Sequence, residues 1–390
     1  MNDFIFQNHT KIYFGKDSLS HLKDELKHYG KNILLVYGKG AIKRIGLYDQ
    51  VIEILRSADK NIYELEGVMP NPTYEKVLEG VNLCKANKIN LILAVGGGSV
   101  IDASKAISVV AKSRSKKGFE KYWIKQTPLD HKVIPVASIL TMVGTGSEAN
   151  SGSVITHNGY KVKLGRVFPS FVNPVFSILN PEYTYTVSEY QMVSGIFDIM
   201  SHLMEQYFGG NEDNTSDYVI EGLLRAVINN TPKAIINPKD YTVRANIMWA
   251  STMALNKISA ASKNGEQDWQ VHGIEHQVGA YTDCAHGMGL SAISRAYYPY
   301  IYKHNIPKFK KFAINVWGVK EDFGDDEAIA KEGIRRLDEF IVNNKMAQNL
   351  KELGVTKDML KDIAYSSRCG GGYGKVSHED ILKILENCYE

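Results

Sequence analysis

Four of the eleven histidines and one aspartate fall at metal-ligand spacings between Gly195 and Leu290. Asp198 and His202 lie in an apolar run from Gly195 to Phe208 that closes at Gly209-Gly210, a glycine signal for a helix C-terminus. Residues i and i+4 share a helix face, so this carboxylate and imidazole point at one spot. His272-Gly-Ile-Glu-His276 repeats the spacing, and His286 follows in Ala285-His286-Gly287. One carboxylate with imidazoles is a ligand set for a catalytic divalent ion such as zinc or ferrous iron. Either pair alone is more often a surface pair or a satisfied core histidine. Two pairs and a third histidine, on segments rich in Met, Phe, Ile and Leu, favour the metal. The same run also spells H-x-x-E-H, the inverted zincin pattern of some zinc metallopeptidases, with Glu275 as general base. That reading leaves Asp198 and His202 without roles, and Glu275 reads as an ordinary helix-face residue.

A second chemistry-bearing stretch is Leu91 to Lys105, where a buried strand runs into Gly96-Gly97-Gly98-Ser99 and a helix. Glycines let backbone approach a phosphate, and a helix N-terminus offers free N–H groups and a positive dipole end. Ser99 is placed to cap that helix. Thr141 to Glu148 is another polar glycine loop after a strand, and two such loops can hold one dinucleotide. Cys369-Gly-Gly-Gly-Tyr-Gly374 follows no buried strand and reads as a flexible surface loop.

Strands are expected at Phe4–Phe6, Lys11–Phe14, Asn32–Tyr37, Asn61–Leu65, Leu91–Val95 and Val133–Ala137, alternating with helices near 17–29, 47–58, 74–87 and 98–110. Residues 112–121 read as a solvated loop, and 154–164 as a hairpin. This alternation implies a parallel sheet covered by helices. After Asn180-Pro181 the pattern turns helical, with Thr186 and Glu189 at a capping-box spacing. Helices are expected at 188–208, 216–229, 242–262, 268–281, 289–304, 327–344, 346–353, 357–365 and 378–388. The expected fold is a Rossmann-like α/β dinucleotide-binding domain over residues 1–182, then an all-helical metal-binding and catalytic domain over 183–390. With 44% hydrophobic and 23% charged residues and a net charge of +3, the 390-residue chain is ordinary for a globular protein. That balance is too even for a nucleic-acid binder, and no run is long enough for a membrane helix. Four scattered cysteines without a CxxC and the absence of an export signal in the N-terminal run point to the cytoplasm.

The chain resembles the iron-activated, group III alcohol dehydrogenases, within them the butanol-dehydrogenase-like branch. The resemblance rests on Gly96-Gly-Gly-Ser-Val-Ile-Asp102-Ala-Ser-Lys105, Thr145-Gly-Ser-Glu148, Leu179-Asn-Pro-Glu-Tyr-Thr-Tyr185, Asp198-x3-His202-x2-Glu205, and Gln267-Asp-Trp269 before His272-x3-His276-x9-His286-Gly287. It implies that Asp198, His202, His272 and His286 bind one divalent metal, ferrous iron before zinc. His276 then stands near nicotinamide and substrate as the catalytic residue that relays the hydroxyl proton. For the nucleotide it points to Gly38, Lys39, Gly40, Gly97, Gly98, Ser99, Asp102, Thr141, Thr145 and a lysine, Lys161 or Lys163, of which Lys163 is preferred. Hydride transfer between a nicotinamide and a small primary alcohol or aldehyde is the implied activity. Gly38-Lys39 stands where NAD-preferring members often carry an aspartate, which favours NADP(H) over NAD(H). The alternative in this architecture is a metal- and NAD-dependent lyase of the dehydroquinate-synthase type. A homodimer through the N-terminal strand is expected, since an apolar edge invites pairing.

Overall fold

The computed structural model describes residues 2–210, 214–261, 263 and 265–390. Strands form at Lys11–Phe14 (β1), Asn32–Tyr37 (β2), Asn61–Leu65 (β3), Leu91–Gly96 (β4), Val136–Leu140 (β5), Gly152–His157 (β6), Val162–Val167 (β7) and Phe176–Leu179 (β8). Helices follow at Leu22–Leu26 (α1), Ala41–Arg44 (α2), Leu47–Ser57 (α3), Tyr74–Ala86 (α4), Gly98–Ala111 (α5), Glu189–Tyr207 (α6), Thr215–Ile236 (α7) and Tyr241–Ala254 (α8). The rest are Gln270–Thr282 (α9), His286–Ile301 (α10), Ile306–Asn315 (α11), Asp326–Asn343 (α12), Met359–Ser366 (α13) and His378–Asn387 (α14). The chain divides into two compact units, Gln7–Val187 and Ser188–Glu390, the latter joined by the residues up to Phe6.

In the first unit six parallel strands form one sheet in the order β1-β8-β5-β4-β2-β3. Its inner strands are mostly apolar, with Ser138 of β5 and Ser177 of β8 hydrogen-bonded to each other, and β4, β5 and β8 are buried along their whole length. Strands covered on both faces require that composition. β6 and β7 make a separate antiparallel pair. The expected strand at Val133–Ala137 starts later, at Val136, because Pro135 can accept from Ile92 N but has no N–H to give the ladder. β8 escapes the sequence pattern: four residues form a strand because β1 and β5 pair with both its edges. Phe4–Phe6 is not a strand, and residues 17–29 form a 3-10 turn at Lys16–His21 before the short α1. The stretch read as a solvated loop runs into a buried π-helical turn at Glu120–Ile124, where Phe119, Tyr122 and Trp123 are core residues.

The second unit is helical, with no strand among its described residues. α6 is capped by Ser188, whose hydroxyl accepts from Gln191 N, and not by Thr186. α8 stops at Ala254; the expected end at Ser262 lies outside the described residues. α10 begins at His286, ahead of the expected Gly289. α11 was not expected; Asn305 caps it and Pro307 occupies its first turn. Residues 346–353 hold only a 3-10 turn at Lys351–Leu353 instead of a helix. The glycine loop at 369–374 is seated, not flexible: Tyr373 Oη donates to Gly210 O at 2.6 Å and Val376 N to Gly370 O at 2.8 Å.

Candidate metal centre and glycine loops

Asp198 and His202 project from one face of α6, His272 from the first turn of α9, and His286 opens α10. Two glycines bring α10 close enough. A Cβ at Gly287 would sit 1.8 Å from Ser194 O on α6, and one at Gly289 would meet Glu275 Cγ at 2.7 Å. Asp198 Oδ1 then lies 3.5 Å from His202 Nδ1, 3.5 Å from His272 Nε2 and 3.6 Å from His286 Nε2. A tetrahedral ion with bonds of about 2.1 Å has ligand–ligand edges of about 3.4 Å. Asp198 Oδ1 and His272 Nε2 are buried and have no hydrogen-bond partner among the described residues. Orphaned buried polar atoms at these separations fit a shared divalent cation.

Two further carboxylates support the imidazoles from behind. Glu205 Oε1 accepts from His272 Nδ1 and from Ser201 Oγ, the latter at 3.0 Å. Its Oε2 accepts from Val271 N at 3.0 Å and His272 N at 3.4 Å. Glu275 Oε2 accepts from His286 Nδ1. Each pairing fixes the tautomer and turns Nε2 toward Asp198. Glu275 is therefore not an ordinary helix-face residue but a fully buried partner of His286. Burial opposes charge on Asp198, but the imidazoles of His202, His286 and His272 outweigh it and hold the carboxyl far below its ordinary range. Burial likewise opposes a charged His272, but Glu205 and Asp198 push it up to about 10. Three buried carboxylates need positive charge nearby, which protons or a divalent ion can supply. His276 is half-buried, its ring centroid 5.6 Å from that of His286 and 6.3 Å from that of His272. Of the aromatics near the ligands in sequence, Trp269 packs edge-on against His202 and His272, whereas Phe197 is core.

In the other unit Gly97 is the N-cap of α5 and Gly98 its first residue. Ser99 sits inside the first turn, so it is not the cap. A Cβ on Gly98 would meet Thr145 Oγ1 at 2.4 Å, and one on Gly97 would meet Met142 Cβ at 3.1 Å. The two glycine loops therefore touch, which places Gly97, Gly98, Ser99, Thr141 and Thr145 in one neighbourhood at the C-terminal ends of β4 and β5. Helix-start N–H groups in such a crevice suit a phosphate. Gly98→Ala is expected to raise the Kd for NAD(P)H about tenfold or more, read by fluorescence titration, because Thr145 must move. Asp102 faces inward: Oδ1 accepts from Ser147 Oγ at 2.5 Å and Oδ2 from Val154 N at 2.8 Å. Lys105, which sequence reasoning left without a role, is buried and donates to Ser147 Oγ, Asn150 Oδ1 and Gly152 O at 2.8, 3.2 and 2.9 Å. Burial lowers its amine to about 8. Asp102 and Lys105 thus clamp the second loop onto α5. Gly38 to Gly40 follow β2, with Gly40 at φ 113° as the N-cap of α2 and Lys39 exposed. Lys163 is buried on β7, whereas Lys161 is exposed at the hairpin turn.

The family model "Iron-containing alcohol dehydrogenase" matches residues 9–181, and "Fe-containing alcohol dehydrogenase family, C-terminal" matches 192–389. The chain is 41% identical over 391 residues to a probable NADH-dependent butanol dehydrogenase of Bacillus subtilis, covering 99% of each. It is 36% identical to an NADPH-dependent aldehyde reductase of Escherichia coli, covering 84% of each. The crystal structure of an NADH-dependent butanol dehydrogenase from Thermotoga maritima superposes with a TM-score of 0.95 at 32% identity, covering 100% of this chain and 99% of that one. With both units matched along nearly their whole length, the chain belongs to the iron-containing alcohol dehydrogenase family.

Proposed function

We propose that this enzyme transfers hydride between a nicotinamide dinucleotide and a small primary alcohol or aldehyde of the butanol–butyraldehyde kind. The observation that carries the reading is Asp198, with His202, His272 and His286 each presenting a ring nitrogen 3.5 to 3.6 Å from its Oδ1, and with Glu205 and Glu275 backing two of the imidazoles. When bound, a divalent ion there supplies Lewis acidity toward the substrate oxygen, and the nicotinamide supplies the hydride carrier. Glu205 and Glu275 keep Nδ1 protonated on His272 and His286, so Nε2 is the donor each presents. His276 holds and relays the hydroxyl proton at a ring nitrogen. The resemblance and the contact between the Gly97–Ser99 and Thr141–Thr145 loops support a dinucleotide site at those loops, shared by Gly38, Lys39, Gly40 and Lys163, with Asp102 as a clamp behind it. The peptidase reading fails on Glu275, whose carboxylate is engaged by His286.

NADP(H) is the proposed preferred dinucleotide, because the residue that follows β2 is Gly38, which carries no carboxylate, and Lys39 is exposed beside it. The B. subtilis relative is named for NADH and the E. coli one for NADPH, so relatives point both ways. Absorbance at 340 nm with butyraldehyde tests the whole reading: oxidation of NADPH faster than NADH is expected. Faster NADH oxidation would reverse the dinucleotide assignment, and no oxidation across short aldehydes would favour the lyase. No described helix is long and apolar enough to cross a membrane, and the four free cysteines support a cytoplasmic enzyme. β1 lies at the sheet edge with Phe14 exposed, which supports a homodimer through that edge. Sedimentation at micromolar concentration is expected to give a dimer, and a monomer alone would refute it.

A further inference from the structure

We propose that Asp268, with the Gly370–Gly374 loop seated on it, is a positioning residue that fixes the start of α9 and, through Glu205, the imidazole of His272. The inference rests on the reading of the metal centre given above. α9 has no ordinary cap: Trp269 holds the N-cap position in the left-handed region at φ 55° and makes no side-chain cap bond. Such a conformation in a bulky residue persists only where its surroundings enforce it. Asp268 supplies that enforcement. Its Oδ1 accepts from Gln270 N at 3.0 Å, its two oxygens accept from Tyr297 Oη at 2.7 and 2.8 Å, and its N–H donates to Glu205 O at 2.9 Å. Glu205 takes the next two donors of the helix, Val271 N and His272 N, with the oxygen opposite the one that holds His272 Nδ1. Two buried carboxylates therefore share the capping of one helix, and one of them orients a donor of the centre. Burial and the neighbouring charge of Glu205 push Asp268 up to about 7.

The glycine loop closes over this turn. The backbone of Gly372 lies near enough to the Asp268 carboxylate to favour its charged form, and a Cβ at Gly372 would lie 2.3 Å from Phe208 O. Gln270 Nε2 donates to Arg368 O at 3.0 Å, tying the first residue of α9 to the same loop. Only glycine at 372 allows the approach.

The test is zinc release from the zinc-loaded enzyme into a chromophoric chelator, with dinucleotide binding followed by fluorescence. Asp268→Ala and Gly372→Ala are expected to release zinc about tenfold faster or more, the scale of lost outer-shell partners. Asp268→Asn keeps an acceptor for Gln270 N and Tyr297 Oη, and is expected to stay within about threefold of the parent. Dinucleotide Kd is expected to be unchanged in all three. Should Asp268→Ala fail to fold, Tyr297→Phe removes a single hydroxyl and is expected to speed release in the same direction. Release at the parent rate in Asp268→Ala or Tyr297→Phe, with only a lowered melting temperature, would overturn the proposal and leave Asp268 a structural residue. A parent enzyme that takes up no zinc or iron would instead overturn the metal reading beneath it.

Discussion

Asp198→Ala is expected to leave the enzyme without its ion and to lower aldehyde reduction by about 10³-fold or more. Asp198 Oδ1 is the common neighbour of three imidazole nitrogens, at 3.5 to 3.6 Å from each. Removing it takes away the one anionic donor of the set and leaves a void where the shared cation would sit. Lewis-acid stabilisation contributes several kcal/mol, and each 1.36 kcal/mol is about one decade in rate. Dinucleotide affinity is expected to be unchanged, because the glycine loops belong to the other unit. Metal content by elemental analysis and the 340 nm assay read both halves of the prediction. A variant that keeps wild-type metal and rate would remove Asp198 from the centre.

Glu275→Gln separates three readings. As an ordinary helix-face residue it would tolerate the change. As the base of a peptidase it would lose all activity whatever the metal concentration. As the buried partner of His286 Nδ1 it is expected to lose about 10- to 100-fold in metal affinity, with dehydrogenase turnover largely restored by excess metal. Activity measured against added zinc or ferrous iron distinguishes these outcomes by the midpoint of the curve.

The centre was legible in the sequence where its spacing is local. Asp198 and His202 announce a shared helix face at i,i+4, and His272 repeats the signal at the start of the next ligand helix. Glu205 and Glu275 were not legible as partners, because their bonds span 67 and 11 residues and depend on how α6, α9 and α10 cross. A glutamate three residues after two of the ligand histidines, Glu205 after His202 and Glu275 after His272, in otherwise apolar helices, is the signal that could have found them. Asp102 illustrates the same limit: its clasp of Ser147 and Val154 bridges 45 and 52 residues. Glycine content misled at 370–374, where glycines serve close approach rather than flexibility. In the sheet, β2 and β4 stood out as continuous apolar runs, whereas the four-residue β8 exists only through its neighbours.

The supporting carboxylates also change the electrostatics of the centre. One carboxylate with three neutral imidazoles leaves a divalent ion with net positive charge. Glu205 and Glu275 offset that charge while making the imidazoles better donors.

Metal dependence tests the central claim most directly. Stripped enzyme titrated with ferrous iron without oxygen, or with zinc, is expected to regain butyraldehyde-dependent NAD(P)H oxidation with a break at about one ion per chain. Full activity in the stripped protein, or no activity at saturation despite tight dinucleotide binding, would contradict it.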